Sequence, residues 1–168
     1  VSIITAQTPI IRSLVSMGHD VHPVYISKDG SWYSNKKMLD IGYFREEGIV
    51  SRLKREKKLR ILFDDGLRLV WSGIRDKEAK IDVVFPAMHG TFGEDGSLMG
   101  LLRMADVPFV GCDLAASAVA MDKALTKKVL EAEGIPVVPY IWFIKDDWDK
   151  DRERLKKRMV DLGWPLFV

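Results

Sequence analysis

Cysteine is almost missing: Cys112 is the only one among 168 residues. These residues therefore hold no internal disulfide, and they contain neither a CxxC pair nor a zinc-ligand spacing. A reducing, cytoplasmic setting is expected. Net charge is also scarce, since 26 Lys and Arg against 24 Asp and Glu leave only +2. Nucleic acid and anionic membranes call for a concentrated basic face. Neither is expected as a partner, which leaves a small-molecule site or a protein. No stretch approaches the roughly 20 apolar residues of a membrane helix. The opening VSIITAQTPIIRSLVSMG carries Gln7, Arg12 and several hydroxyls, and does not read as a signal peptide. Internal repeats and low-complexity tracts are absent. The chain starts on valine and stops on the apolar GWPLFV, so both ends are expected to be cut.

What is present suits one complete domain, or one domain and part of another: 47% hydrophobic residues supply a core and 30% charged residues a solvated surface. Ser2 is a candidate N-cap for a helical stripe of Ile4, Ile11, Leu14 and Val15 that ends at Gly18, with Pro9 forcing a kink or a late start. DVHPVYI reads as a strand and SKDGSWY as a turn with a short continuation. From Asn35 to Arg60 the pattern weakens, and REEGIVSRLKREKKLR reads as the solvated face of a short helix. LRILFDDGLRLVW has the form of a β-hairpin turning at Asp65 and Gly66.

KIDVVFPAM is the kind of continuous apolar run found in central parallel strands. SLMGLLRMA follows with Leu98, Leu101, Leu102 and Ala105 at helical spacing, and VPFVG reads as another buried strand. Asp122 is placed to cap a helix carrying Leu125, Val129 and Ala132, stopped by Gly134. VPYIWFI and WPLFV are strand candidates on either side of an amphipathic helix with Trp148, Leu155, Met159 and Leu162 on one side. Strands alternating with helices predict an α/β architecture with a mainly parallel sheet, and a second domain from about residue 120.

HGTFGEDG, residues 89–96, lies where a strand should hand over to a helix, the usual address of a ligand in an open parallel sheet. Gly90, Gly93 and Gly96 would let the backbone turn sharply and approach a ligand, while the next helix start would offer N–H groups to an anion. Glu94 and Asp95 oppose that unless they are turned away. Asp95 is expected to cap the helix. Glu94 is placed to orient His89, whose imidazole would donate to a substrate carboxylate or phosphate. Lys123 stands in the first turn of a helix, where a cation opposes the dipole unless an anion shares the site. His19 and His22 read as structural or exposed, and Cys112 as an inert, buried thiol with no activating base.

The run HGTFGEDGSLMG resembles the N-terminal signature of D-alanine:D-alanine ligases of the ATP-grasp superfamily. VPFVGCDLAASAVAMDKALTKKVLEAEGIPVVPY resembles that family's second signature region. VSIITA and GHDVHPVYISKDGSWY resemble its first helix and second strand, so the likeness spans nearly the whole chain. It implies a Rossmann-like pre-ATP-grasp domain over 1–119 lacking its first strand, and the start of a central ATP-grasp domain over 120–168. The implied activity is ATP-dependent joining of two D-alanines through an acyl phosphate, for peptidoglycan, with Mg2+ or Mn2+ neutralising charge. The resemblance puts Lys123 on ATP phosphate, and His89 and Gly90 in the first D-alanine pocket with Glu94 supporting them. Val1 and Ser2 would sit beside that pocket, and a homodimer is implied.

The family's substrate-amine acid would lie before Val1, and its second ATP lysine, loop and metal carboxylates after Val168. Activity is therefore expected of a full-length protein and not of these residues alone. Met99 stands where glutamine is usual, and Cys112 where serine is common. The alternatives are a non-catalytic small-molecule binding or regulatory module on the same scaffold, and a ligase taking D-lactate or D-serine as second substrate.

Overall fold

The structure is a computed structural model describing residues 2–45, 49–53 and 55–167. It divides into two compact units, 1–118 and 119–168.

The first unit opens with α1 (Ser2–Thr5), a π-helical segment (Ala6–Ile11) and α2 (Arg12–Ser16). Of the kink or late start expected at Pro9, the late start does not occur. The backbone widens to the i+5 spacing around Pro9, a device that accommodates a residue with no N–H to give. The stop at Gly18 is as read: at φ 86° it lets its own N–H reach the Val15 carbonyl and the His19 N–H reach that of Leu14.

β1 (Tyr25–Ile26) and β2 (Trp32–Tyr33) form a short antiparallel pair. A 3-10 turn (Lys36–Leu39), α3 (Gly42–Arg45) and α4 (Ile49–Leu53) follow. This is the stretch where the sequence pattern weakens, yet Met38, Tyr43 and Leu53 are buried with Tyr33 in one of the two cores. Short helices give periodicity too few residues to register. The Tyr43 hydroxyl donates to Glu56 Oε1 at 2.7 Å, and burial first, then that bond, pushes its pKa up to about 12.

β3 (Arg60–Leu62), β4 (Leu67–Trp71) and β5 (Lys77–Ile81) form an antiparallel sheet in the order β3-β4-β5. The predicted hairpin is present, with Gly66 at φ 77° in its turn and Leu62 opposite Arg68. On β4 the adjacent Leu69 and Val70 are 3% and 0% exposed. Neighbouring strand residues face opposite ways, so this central strand is covered on both sides.

The mainly parallel sheet is not what these residues build. The architecture is α/β, but every named strand among the described residues pairs antiparallel. The parallel relation survives as one bridge between Val84 and Phe109. Val84 donates to the Pro108 carbonyl at 2.9 Å, and Val110 donates to the Val84 carbonyl at 2.9 Å. The next rungs would need an N–H from Pro86 on one side and Pro108 on the other. Proline has none, so the ladder stops after one step in each direction.

α5 (Ser97–Met104) packs Leu102, together with Ala105 and Val107, against Leu67 of the sheet, forming the second core. Met99 is buried as well, off the stripe the spacing suggested. α6 (Leu114–Met121) follows.

In the second unit, Asp122 caps α7 (Lys123–Ala132), accepting from the Leu125 N–H at 2.9 Å. Gly134, at φ 72°, ends it. Asp122→Ala is expected to cost about 1 kcal/mol, read as a lower denaturant midpoint with unchanged slope; an unshifted midpoint would show the cap is replaced.

VPYIWFI is not a strand. It is held to α7 by side chains: Lys127 Nζ donates to the Val138 carbonyl at 3.0 Å and lies 4.6 Å from the Tyr140 ring centre, and Lys128 Nζ lies 4.8 Å from that of Trp142. WPLFV forms no strand over its described residues 164–167 either, since a strand needs a partner edge and none is offered among the described residues of this unit. The expected amphipathic helix is two, α8 (Lys145–Lys150) and α9 (Arg152–Leu162). Asp151 ends one and caps the other, accepting from the Arg154 N–H at 3.1 Å.

Candidate functional site

The 89–96 loop begins five residues past the Val84 bridge and closes on α5. Its first anchor comes from 87 residues away: the His89 N–H donates to Ser2 Oγ at 3.1 Å. Ser2 therefore serves this loop and does not cap α1. His89 Nε2 lies 3.3 Å from Thr5 Oγ1, and His89 Nδ1 lies 3.8 Å from Glu94 Oε1. The imidazole is thus bracketed by a hydroxyl at one nitrogen and a carboxylate at the other, while its side chain stays 43% exposed. Sequence reading missed Thr5. Its signal is faint but physical: Ser2 and Thr5 are three apart on a helix and share a face.

The two acids do not confront an incoming anion. Glu94 Oε2 accepts from the Gly90 N–H at 2.6 Å. Asp95 accepts from the Phe92 N–H at 2.8 Å and the Ser97 N–H at 2.9 Å. The N–H groups of Phe92 first and Ser97 next hold the Asp95 carboxyl below its ordinary value of 3.8. A lowered carboxyl pKa adds stability that is present above the ordinary value and is lost as pH falls through the folded one. The stability difference between the chain and Asp95→Asn should therefore narrow as pH drops below 3.8. Urea midpoints across the acid range check this, and a constant difference would contradict it.

Two of the N–H groups expected to be free at the start of α5 are already taken. Ser97 gives its N–H to Asp95, and Leu98 gives its own to the Phe92 carbonyl at 3.2 Å. The glycines divide by role. Gly90 needs only its φ of 80°, with nothing within 4 Å of an added Cβ. At Gly93 an added Cβ would collide with the Met88 Cβ, so this glycine serves the loop's own packing. Gly96 combines φ 90° with a Cβ position 2.7 Å from the Leu114 carbonyl oxygen.

His89, Gly90, Glu94 and Ser2 are thus brought together, and Thr5 joins them. Val1 lies outside the described residues. Lys123, in the second unit, donates from Nζ to the Ala120 carbonyl at 3.1 Å. A cation over the last carbonyls of α6 is favourable, which answers the dipole objection without any anion. Cys112 is exposed, not buried. His22 packs at 5.5 Å on the Trp71 ring and lies 3.3 Å from Asp20, a structural placement. Among the described residues, no group of three or more His, Cys, Asp or Glu is arranged to hold a metal ion. No helix there is long and apolar enough to cross a membrane.

Against this geometry stand the likenesses to known proteins. A family model described as D-ala D-ala ligase N-terminus matches residues 1–112. The D-alanine–D-alanine ligase of Treponema denticola is 35% identical over 166 residues, covering 95% of this chain and 44% of that relative. The solved D-alanine-D-alanine ligase of Coxiella burnetii aligns with a TM-score of 0.77 at 32% identity, over 96% of this chain and 44% of that one. The VanG D-Ala:D-Ser ligase of Enterococcus faecalis aligns with a TM-score of 0.62 at 25% identity, over 98% and 44%. The chain spans about 44% of the length of each of these three.

Proposed function

Because the chain belongs to the D-alanine–D-alanine ligase family, matching its N-terminal part, we propose that it forms one wall of the first D-alanine pocket in an ATP-dependent ligase. The activity is proposed for a protein of the relatives' full length that carries these residues. ATP phosphorylates the carboxylate of one D-alanine. The amine of a second then attacks the acyl carbon, phosphate leaves, and an amide bond remains.

The observation that carries this reading is the fastening of the signature loop to the opening helix through Ser2, Thr5 and His89. It presents an imidazole at a half-exposed surface, steadied by Glu94, where a small carboxylate can accept a hydrogen bond. Gly90 shapes the wall through its backbone, and Ser2 borders it. In this reading residues 1–119 supply the substrate wall and 120–168 begin the ATP-binding part, with Lys123 turning from the Ala120 carbonyl to a phosphate oxygen. When bound, ATP supplies the activating phosphoryl group, and Mg2+ or Mn2+ neutralises its charge. The described residues do not fit a metal, and no step here runs through one. A soluble, cytoplasmic homodimer acting in peptidoglycan synthesis completes the proposal.

A second reading, D-serine in place of the second D-alanine, draws on the likeness to the VanG D-Ala:D-Ser ligase. The full-length protein should release ADP from ATP only when D-alanine is present, and the dipeptide should form with D-alanine in preference to D-serine or D-lactate. No ADP release with D-alanine present would overturn the ligase reading and leave the non-catalytic module.

A further inference from the structure

Residues 119–126, all within the second unit, turn the chain from the end of α6 into α7 through one extended residue, Asp122, at φ −85° and ψ 105°. The last four carbonyls of a helix have no partner inside it. Two of those at the end of α6 are taken by side chains of α7. Lys123 Nζ donates to the Ala120 carbonyl at 3.1 Å, and Thr126 Oγ1 donates to the Val119 carbonyl at 2.6 Å. Thr126 Oγ1 also lies 2.8 Å from the Asp122 carbonyl oxygen, four residues back.

The contact with Asp122 is ordinary for a threonine in a helix, whereas the one with Val119 reaches seven residues back across the corner. A hydroxyl has one proton for these two oxygens, and the shorter distance favours Val119. The two ties across the corner differ in what can release them. Lys123 is exposed, so its amine can leave Ala120 for an anion while that carbonyl turns to water. Thr126 is half-buried on a short side chain and has no such reach. With Lys123 on a phosphate, Thr126 carries the one remaining side-chain hydrogen bond from α7 to α6 among the described residues.

We propose that Thr126 is a positioning residue for Lys123: its hydroxyl fixes the corner at Asp122 and so holds the lysine amine where a nucleotide phosphate meets it. The inference rests on the role proposed above for Lys123 toward ATP. Thr126 acts through that lysine and not on the nucleotide itself.

Equilibrium dialysis of the full-length protein against a radiolabelled, non-hydrolysable ATP analogue, without D-alanine, tests this as a double-mutant cycle. Thr126→Val keeps the shape, removes the hydroxyl and should weaken binding about tenfold, the scale of one lost hydrogen bond. Thr126→Ser keeps the hydroxyl and should bind within about twofold of the unaltered protein. In a Lys123→Ala background, Thr126→Val should change binding by less than about twofold, because no amine is left to position. Where the valine variant does not fold, Thr126→Ala removes the same hydroxyl and gives the same comparison. An equal loss with and without Lys123 overturns the proposal, since the hydroxyl then serves only the fold. Lys123→Ala without loss of binding overturns the ATP role of Lys123 and this inference with it. A weakened Lys123→Ala beside an unaffected Thr126→Val overturns this inference alone.

Discussion

Gly96→Ala is expected to destabilise the chain by about 2–5 kcal/mol, the sum of left-handed backbone strain and a steric insertion. Gly96 sits at φ 90°, where a Cβ is disfavoured, and that Cβ would lie 2.7 Å from the Leu114 carbonyl oxygen. A backbone atom cannot rotate aside as a side chain can, so the loop or the start of α6 must shift. Gly90→Ala separates the two causes. It carries a similar φ of 80° with open space around the added atom, so only the strain of about 1–2 kcal/mol remains. Urea midpoints of the two variants decide it. Equal losses would mean that the approach to Leu114 relaxes freely and that backbone conformation alone selects glycine at 96.

The second large effect concerns activity. In the full-length protein, His89→Ala should lower kcat/KM for D-alanine about a hundredfold. The fastening to Ser2 uses the His89 backbone N–H and survives the substitution, so the loss reports the imidazole and not an unfolded loop. Glu94→Gln refines the test. A glutamine oxygen can still accept from the Gly90 N–H, as Glu94 Oε2 does, but the charge facing His89 Nδ1 is gone. A loss of about tenfold in kcat/KM is expected from the removal of that orienting charge. The KM for ATP should stay unchanged in both variants. Activity of His89→Ala at the unaltered level would remove this residue from the proposed D-alanine wall.

Much of the local structure was legible in the sequence because local rules govern it. The Asp65-Gly66 hairpin, the stops at Gly18 and Gly134, the cap at Asp122 and the apolar stripe of α5 each depend on neighbours within a few residues. The family likeness was equally legible, since HGTFGEDG packs several positional demands into eight residues. The core at Met38, Tyr43 and Leu53 was not legible, because its helices are too short to show a period. The parallel sheet was misread for a related reason. An apolar run announces burial, whereas a ladder needs N–H groups on both strands, and Pro86 and Pro108 withhold them.

The site shows the same division. The sequence by itself determined that His89, Gly90 and Glu94 share one turn, and that Asp95 would be spent on the start of α5. Only the tertiary structure decided that Ser2 and Thr5 close on that turn from more than eighty residues away, because a contact between distant segments depends on how the helix and loop are carried by the elements between them. Tertiary structure also set the tasks of the glycines. Sequence can say that glycine permits a positive φ, but what a Cβ would strike, Met88 at Gly93 or Leu114 at Gly96, is a property of packed neighbours.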